Sequence, residues 1–172
     1  MERPSENDYA PYYQRYVSLV PETDVLEVLA GQPAELRRLA AATPAARETH
    51  RYEPGKWSVR EVFGHLQDSE QVFGYRTLCI SRGEQAALPG FDQEEYLRNS
   101  AYGLRPLADI AGDFDALRGV NLSLLRALDG AGWDRRGTAN DAGVTVRALA
   151  FIMAGHVRHH FGVIRSRYGI DA

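Results

Sequence analysis

Apolar residues recur at helical spacing along most of the chain. Val25, Leu26, Leu29, Leu36 and Leu39 keep that rhythm from Glu22 to about Ala42, across Gly31 and Pro33. A proline inside a helix removes a backbone donor, so the pattern predicts either a helix kinked at Pro33 or two short helices meeting there. Residues 43–57 read as a loop, broken by Pro44, Pro54 and Gly55. Ser58-Val59-Arg60-Glu61 is a capping box, and it opens a second helix that runs to Arg82 and stops at Gly83. Val59, Val62, Phe63, Leu66, Phe73 and Ile80 give that helix a sustained apolar face.

Residues 83–105 form a long crossover with room for one short helix, capped by Asp92 with Glu95. Pro106 suits the start of a third helix, lined by Leu107, Ile110, Phe114, Leu117, Leu124 and Leu128 and ended by Gly130. A loop rich in Gly, Asp and Asn follows. Thr145 then opens a fourth helix that lasts to about Tyr168, before Gly169. No stretch shows the period-two alternation of a strand. The expected fold is all-α, four long helices in a bundle with a long crossover between helices 2 and 3. Before it, residues 1–20 form an arm in which Tyr9, Tyr12, Tyr13 and Tyr16 recur every three or four positions. A single domain over residues 1–172 is expected, the arm being 1–20 and the bundle 21–172.

Composition narrows the function. The 172 residues are 44% hydrophobic and 25% charged, an ordinary globular balance. A net charge of −3 and a pI near 6.0 give no electrostatic pull toward nucleic acid or anionic lipid. No apolar run approaches the roughly 18 residues of a membrane span. The single Cys79 has no intramolecular partner, and the polar N-terminus lacks the apolar core of a signal peptide. The expectation is a cytoplasmic protein.

Four of the five histidines carry the chemistry. His156 and His160 lie four apart on the last helix, a spacing that lets two imidazoles close on one metal ion. Both fall within about 20° of Leu149 around the helix, on the apolar stripe, whereas His159 falls about 80° away. A buried polar group without a partner costs roughly 1–3 kcal/mol, so two inward imidazoles require a metal or hydrogen-bonding neighbours. His65 lies at the margin of the second helix's stripe, about 100° from Leu66. Three neutral imidazoles would leave one coordination position for water or substrate. The run His156-Val157-Arg158-His159-His160 lacks the glutamate of His-Glu-x-x-His, so the base of the zinc proteases is absent. Glu70 and Asn121 also point inward, as candidate catalytic residues or as structural hydrogen-bonders. Phe151 falls about 200° from Leu149, on the arginine side, where a lone bundle would leave it in water, so a homodimer is expected, the tyrosine arm being the alternative cover.

Gly55-Lys56-Trp57-Ser58-Val59-Arg60-Glu61-Val62 leading to Gly64-His65-Leu66, then Leu88-Pro89-Gly90-Phe91-Asp92, then Val146-Arg147-Ala148-Leu149 leading to Gly155-His156 and His159-His160, resembles the DinB-like superfamily. The branch it is similar to is that of the YfiT-like metal-dependent hydrolases. The resemblance implies an up-down-down-up bundle, often homodimeric. It also implies a divalent metal, zinc or nickel, held by His65, His156 and His160, and imidazole donors leave manganese and iron as alternatives. Some relatives are S-transferases that join bacillithiol or a similar low-molecular-weight thiol to an electrophile, and others resemble a mycothiol-dependent isomerase. The expected function is therefore thiol transfer, with a small-molecule thiol and an electrophile as partners. Metal-dependent hydrolysis is the first alternative, and a non-catalytic stress-response or binding module is the second.

Overall fold

A computed structural model describes residues 2–172. Seven helices lie among them: α1 (Gln14–Val17), α2 (Val25–Ala42), α3 (Val59–Ser81), α4 (Gln93–Arg98), α5 (Leu107–Arg126), α6 (Gly130–Asp134) and α7 (Val146–Tyr168). Between α6 and α7 stands a hairpin of β1 (Arg136–Ala139) and β2 (Ala142–Thr145). The frame is the bundle of α2, α3, α5 and α7.

The sequence places the helix ends for local reasons. Ser58 and Glu61 form the capping box of α3, and Thr145 caps α7 by accepting from the Ala148 N–H at 3.1 Å. Gly169 closes α7 at φ +60°, a conformation glycine adopts without strain. Asp92 caps α4 by accepting from the Glu94 and Glu95 N–H groups. The third long helix ends at Arg126 rather than at Gly130, because α6 starts a separate turn there, capped by Asp129.

α2 runs through Pro33 as one helix, so two short helices do not meet there. The carbonyl that Pro33 leaves without a partner is that of Leu29, four residues back, and the Arg118 guanidinium fills the gap by donating from Nη1 at 2.9 Å. The tertiary structure supplies the hydrogen bond that proline cannot.

Contacts fix the helix order. Arg37 pairs with Asp115 while Leu29 and Gln32 meet Arg118, so α2 and α5 run antiparallel. Glu70 meets Arg118 and Gly74 packs on Asn121, so α3 and α5 run parallel. Trp57 accepts from Tyr168 and His65 faces His156, so α3 and α7 run antiparallel. The result is up-down-down-up. Two parallel neighbours need a connection that returns along the bundle, which is why residues 82–106 are long.

The hairpin corrects the reading that no strand is present. Each strand is four residues, too short for alternation to register, and Asn140 and Asp141 take positive φ (53° and 59°) at the turn. The crossover docks on it: Leu88 pairs with Ala139, and the Asn140 N–H donates to the Leu88 carbonyl.

The tyrosine arm covers Phe151. Tyr9, Tyr16, Val17 and Val20 are buried in one cluster with it, and the Arg3 guanidinium stands 5.3 Å from its ring. One chain therefore buries Phe151 fully. The inference from Phe151 to a homodimer loses its premise.

Candidate metal centre

Three side chains from two antiparallel helices meet at mid-bundle. His65 on α3 and His156 and His160 on α7 each offer a ring nitrogen, and these atoms lie within 4.8 Å of one another. They are the one such group of potential ligands among the described residues. The Nε2 atoms of His65 and His156 are 3.0 Å apart, and the three ring centroids are separated by 4.6–4.9 Å. His65 and His156 are buried and His160 is half-buried. His159 is exposed and outside the cluster, its ring 5.0 Å from that of His160.

Two glycines permit this approach, each directly before a histidine. A Cβ on Gly64 would fall 2.2 Å from the Tyr102 ring, and one on Gly155 would fall 2.0 Å from the Tyr16 carbonyl oxygen. The Gly64-His65 and Gly155-His156 pairs thus let neighbouring segments press against the helices where the imidazoles emerge.

Aromatic rings wall the cluster. Trp57 stands 4.8 Å from His65 and stacks on His160 at 6.4 Å, which encloses the His65 side that the helix wheel left at the margin. Tyr16 meets His156 edge-on at 5.3 Å, and Phe73 lies 5.8 Å from the same ring. Burial pushes the His65 pKa down to about 4, helped by nearby His159. Burial and the neighbouring imidazoles hold His156 and His160 well below the usual histidine range. All three rings are therefore neutral near pH 7 and present lone pairs. His160 Nδ1 is buried with no hydrogen-bond partner.

One side of the cluster opens into a cavity of about 180 Å³, lined by Tyr12, Tyr13, Tyr16, His65, Ser69, Phe73, Arg76, Phe91, Gln93, Asn140 and His156. A cleft of about 410 Å³ adjoins it, sharing Arg76 and Phe91.

Glu70 and Asn121 do not join the histidines. Arg118 donates to both Glu70 oxygens, from Nε at 2.8 Å and Nη2 at 2.7 Å, and Asn121 donates to Glu70 Oε1 at 2.8 Å. Arg118 also reaches Gln32 Oε1, and Gln32 in turn donates to the Ala154 carbonyl. This buried network ties α2, α3, α5 and α7 together. Of the two roles open to Glu70, the structure places it in the hydrogen-bonded one.

Sequence reasoning missed the walls of the cavity. Trp57 was legible only as part of a motif, and Asn140 only as a loop residue. A usable signal did exist on α3: Ser69 and Arg76 fall about 40° and 20° from His65 around the helix, so all three share a face.

Residues 29–164 match the DinB superfamily. The fold is similar to that of YfiT from Bacillus subtilis, described as a probable metal-dependent hydrolase with an unusual four-helix bundle topology. The TM-score is 0.78 and identity 20%, covering 99% of this chain and 95% of that one. A DinB-like protein, YjoA, also from Bacillus subtilis, superposes with a TM-score of 0.59 at 17% identity, over 87% of this chain and 95% of that one. None of the curated proteins matches the sequence.

Proposed function

This chain belongs to the DinB superfamily, and from that premise we propose that it is a metal-dependent enzyme acting on small molecules. The observation that carries the reading is the convergence of three neutral ring nitrogens beside a cavity, one imidazole keeping a buried atom without a partner. Hydrogen bonding alone leaves that atom unsatisfied, and a divalent ion suits the donor set. His65, His156 and His160 would hold it. Imidazole donors suit zinc and nickel, and also manganese and iron. A divalent ion bound there supplies Lewis acidity that lowers the pKa of a thiol or of water.

The chain's own residues do the rest. Trp57 and Tyr16 shield the histidines from bulk water on two sides. His65 and His156 face the inner cavity, where Ser69 and the arm tyrosines would meet a substrate, and His160 also borders a second cavity of about 250 Å³ beside Trp57 and Glu94.

Thiol transfer is the finer reading. Hydrolysis benefits from a carboxylate base, and Glu70, the one fully buried carboxylate among the described residues, has both oxygens engaged by Arg118. A thiol held as thiolate needs no protein base. Metal-dependent hydrolysis is the second reading, favoured by the similarity to YfiT.

The test uses protein purified without a metal-affinity tag and analysed for metals. Conjugation of a model electrophile to bacillithiol, glutathione or cysteine is then measured with and without chelator. Chelator-sensitive conjugation supports thiol transfer. Ester or amide hydrolysis with no response to thiol favours the second reading, and activity that survives complete metal removal refutes both.

A further inference from the structure

The inner cavity has one formally charged side chain on its wall, Arg76. It is 3% exposed, yet it makes no ion pair among the described residues. Its Nη2 donates to the Pro89 carbonyl at 2.7 Å, a neutral acceptor. The contrast with Arg118 is instructive, since that buried guanidinium is neutralised by Glu70 and bonded to Leu29 and Gln32. Taking a cation out of water without a counter-ion is costly, and an anion entering the cavity would offset that cost.

A second polar group in the same cavity lacks a partner. Ser69 Oγ is buried and has no hydrogen bond. Ser69 lies about 6 Å and Arg76 about 16 Å along the α3 axis from His65, and helix side chains lean back toward the N-terminus. The order along one face is thus histidine, hydroxyl, guanidinium. Tyr13, Tyr16, Phe73 and Phe91 supply aromatic walls between them. Asp68, the carboxylate lining the adjoining cleft, is engaged as acceptor by the Tyr102 hydroxyl at 2.6 Å and does not neutralise Arg76.

We propose that this cavity binds a small organic acid, its carboxylate or phosphate held by the Arg76 fork and its body lying between the aromatic rings. Ser69 hydrogen-bonds the part of the molecule nearer the histidines, and larger substituents extend past Arg76 and Phe91 into the adjoining cleft. The inference rests on the proposed reactive centre only for which end of the ligand faces the histidines. Anion capture by Arg76 is independent of metal.

Calorimetric titration tests it with benzoate, phenyl phosphate and benzamide, the last being the neutral counterpart of benzoate. Wild type and Arg76→Gln are each titrated in metal-loaded and chelator-stripped form. The anions should bind wild type at least about tenfold more tightly than benzamide in both forms, the scale of one charge-assisted bidentate contact. Arg76→Gln should erase the difference while metal content is unchanged. The tighter of benzoate and phenyl phosphate identifies the acid group. Wild type that binds benzamide as tightly as both anions overturns the proposal. So does a preference that survives in Arg76→Gln but vanishes on stripping, because the anion then sits at the histidines. If Arg76→Gln does not fold, Arg76→Lys keeps the charge but loses the fork, and unchanged anion affinity there is also a refutation. Wild type that retains no metal but shows the Arg76-dependent preference removes the metal reading and leaves this one standing.

Discussion

Glu70→Gln separates a structural carboxylate from a catalytic one. The substitution is nearly isosteric, so it leaves no cavity, but it removes the charge that neutralises Arg118, which is 0% exposed. It also turns an amide donor toward a guanidinium donor in place of one of two bonds of 2.7–2.8 Å. Breaking a buried pair by removing one partner costs about 3–5 kcal/mol. A protein of this size loses roughly 2–4 °C of Tm per kcal/mol, so the melting temperature should fall by about 6–20 °C. Metal content and the activity per folded molecule, measured well below the new Tm, should match wild type. Removing both partners, as Glu70→Leu with Arg118→Met, should cost less than the sum of the two single changes, since neither then strands a buried charge. Urea denaturation with matched activity assays reads Glu70→Gln, the two single changes and their double variant. A Glu70→Gln protein that keeps its stability within about 1 kcal/mol but loses activity would refute this reasoning and return Glu70 to the reaction.

Alanine at His65, His156 or His160 should strip the metal after identical dialysis, whereas His159→Ala should lose affinity by at most about 10- to 100-fold. Elemental analysis of the four variants checks this. Gly155→Ala places a Cβ 2.0 Å from the Tyr16 carbonyl oxygen, so the arm must shift and uncover Phe151. A loss of about 1–3 kcal/mol with faster proteolysis of the first 20 residues is expected. The three clustered imidazoles have native pKa values below the roughly 6.5 of an unfolded chain. The unfolded state therefore takes up protons first, and chelator-stripped protein should hold full stability above pH 6.5 and lose it as the pH falls toward 4. Thermal melts across that range, with His65→Phe as the comparison, would show a weaker acid dependence in the variant.

Much of the frame was legible because it is encoded locally. The capping box at Ser58 and Glu61, the Thr145 cap and the Asp92 cap are each a few consecutive residues, and each stands where the sequence places it. The hairpin was invisible for the opposite reason. Four-residue strands carry too few positions for periodicity, and the turn signal rested on Asn140 and Asp141 alone. His65 shows the limit of a helical wheel. A wheel ranks positions against their own helix, whereas His65 is buried by Trp57 and by α7.

The sequence by itself determined the caps of α3 and α7, which faces are apolar, and that His156 and His160 share one of them. Those are properties of residues three or four apart, and backbone geometry settles them without reference to the rest of the chain. Only the tertiary structure decided the remainder. Pro33 stays within one helix because Arg118, 85 positions further along, supplies a hydrogen bond to Leu29. Glu70 is committed to that same arginine, while Arg76 has no carboxylate among the described residues and turns to a cavity. Both arginines sit among apolar neighbours in the sequence pattern, and nothing local distinguishes them. Which one meets a carboxylate depends on the parallel packing of α3 on α5, and that alignment is set by the long crossover and by how the four apolar faces close on one another.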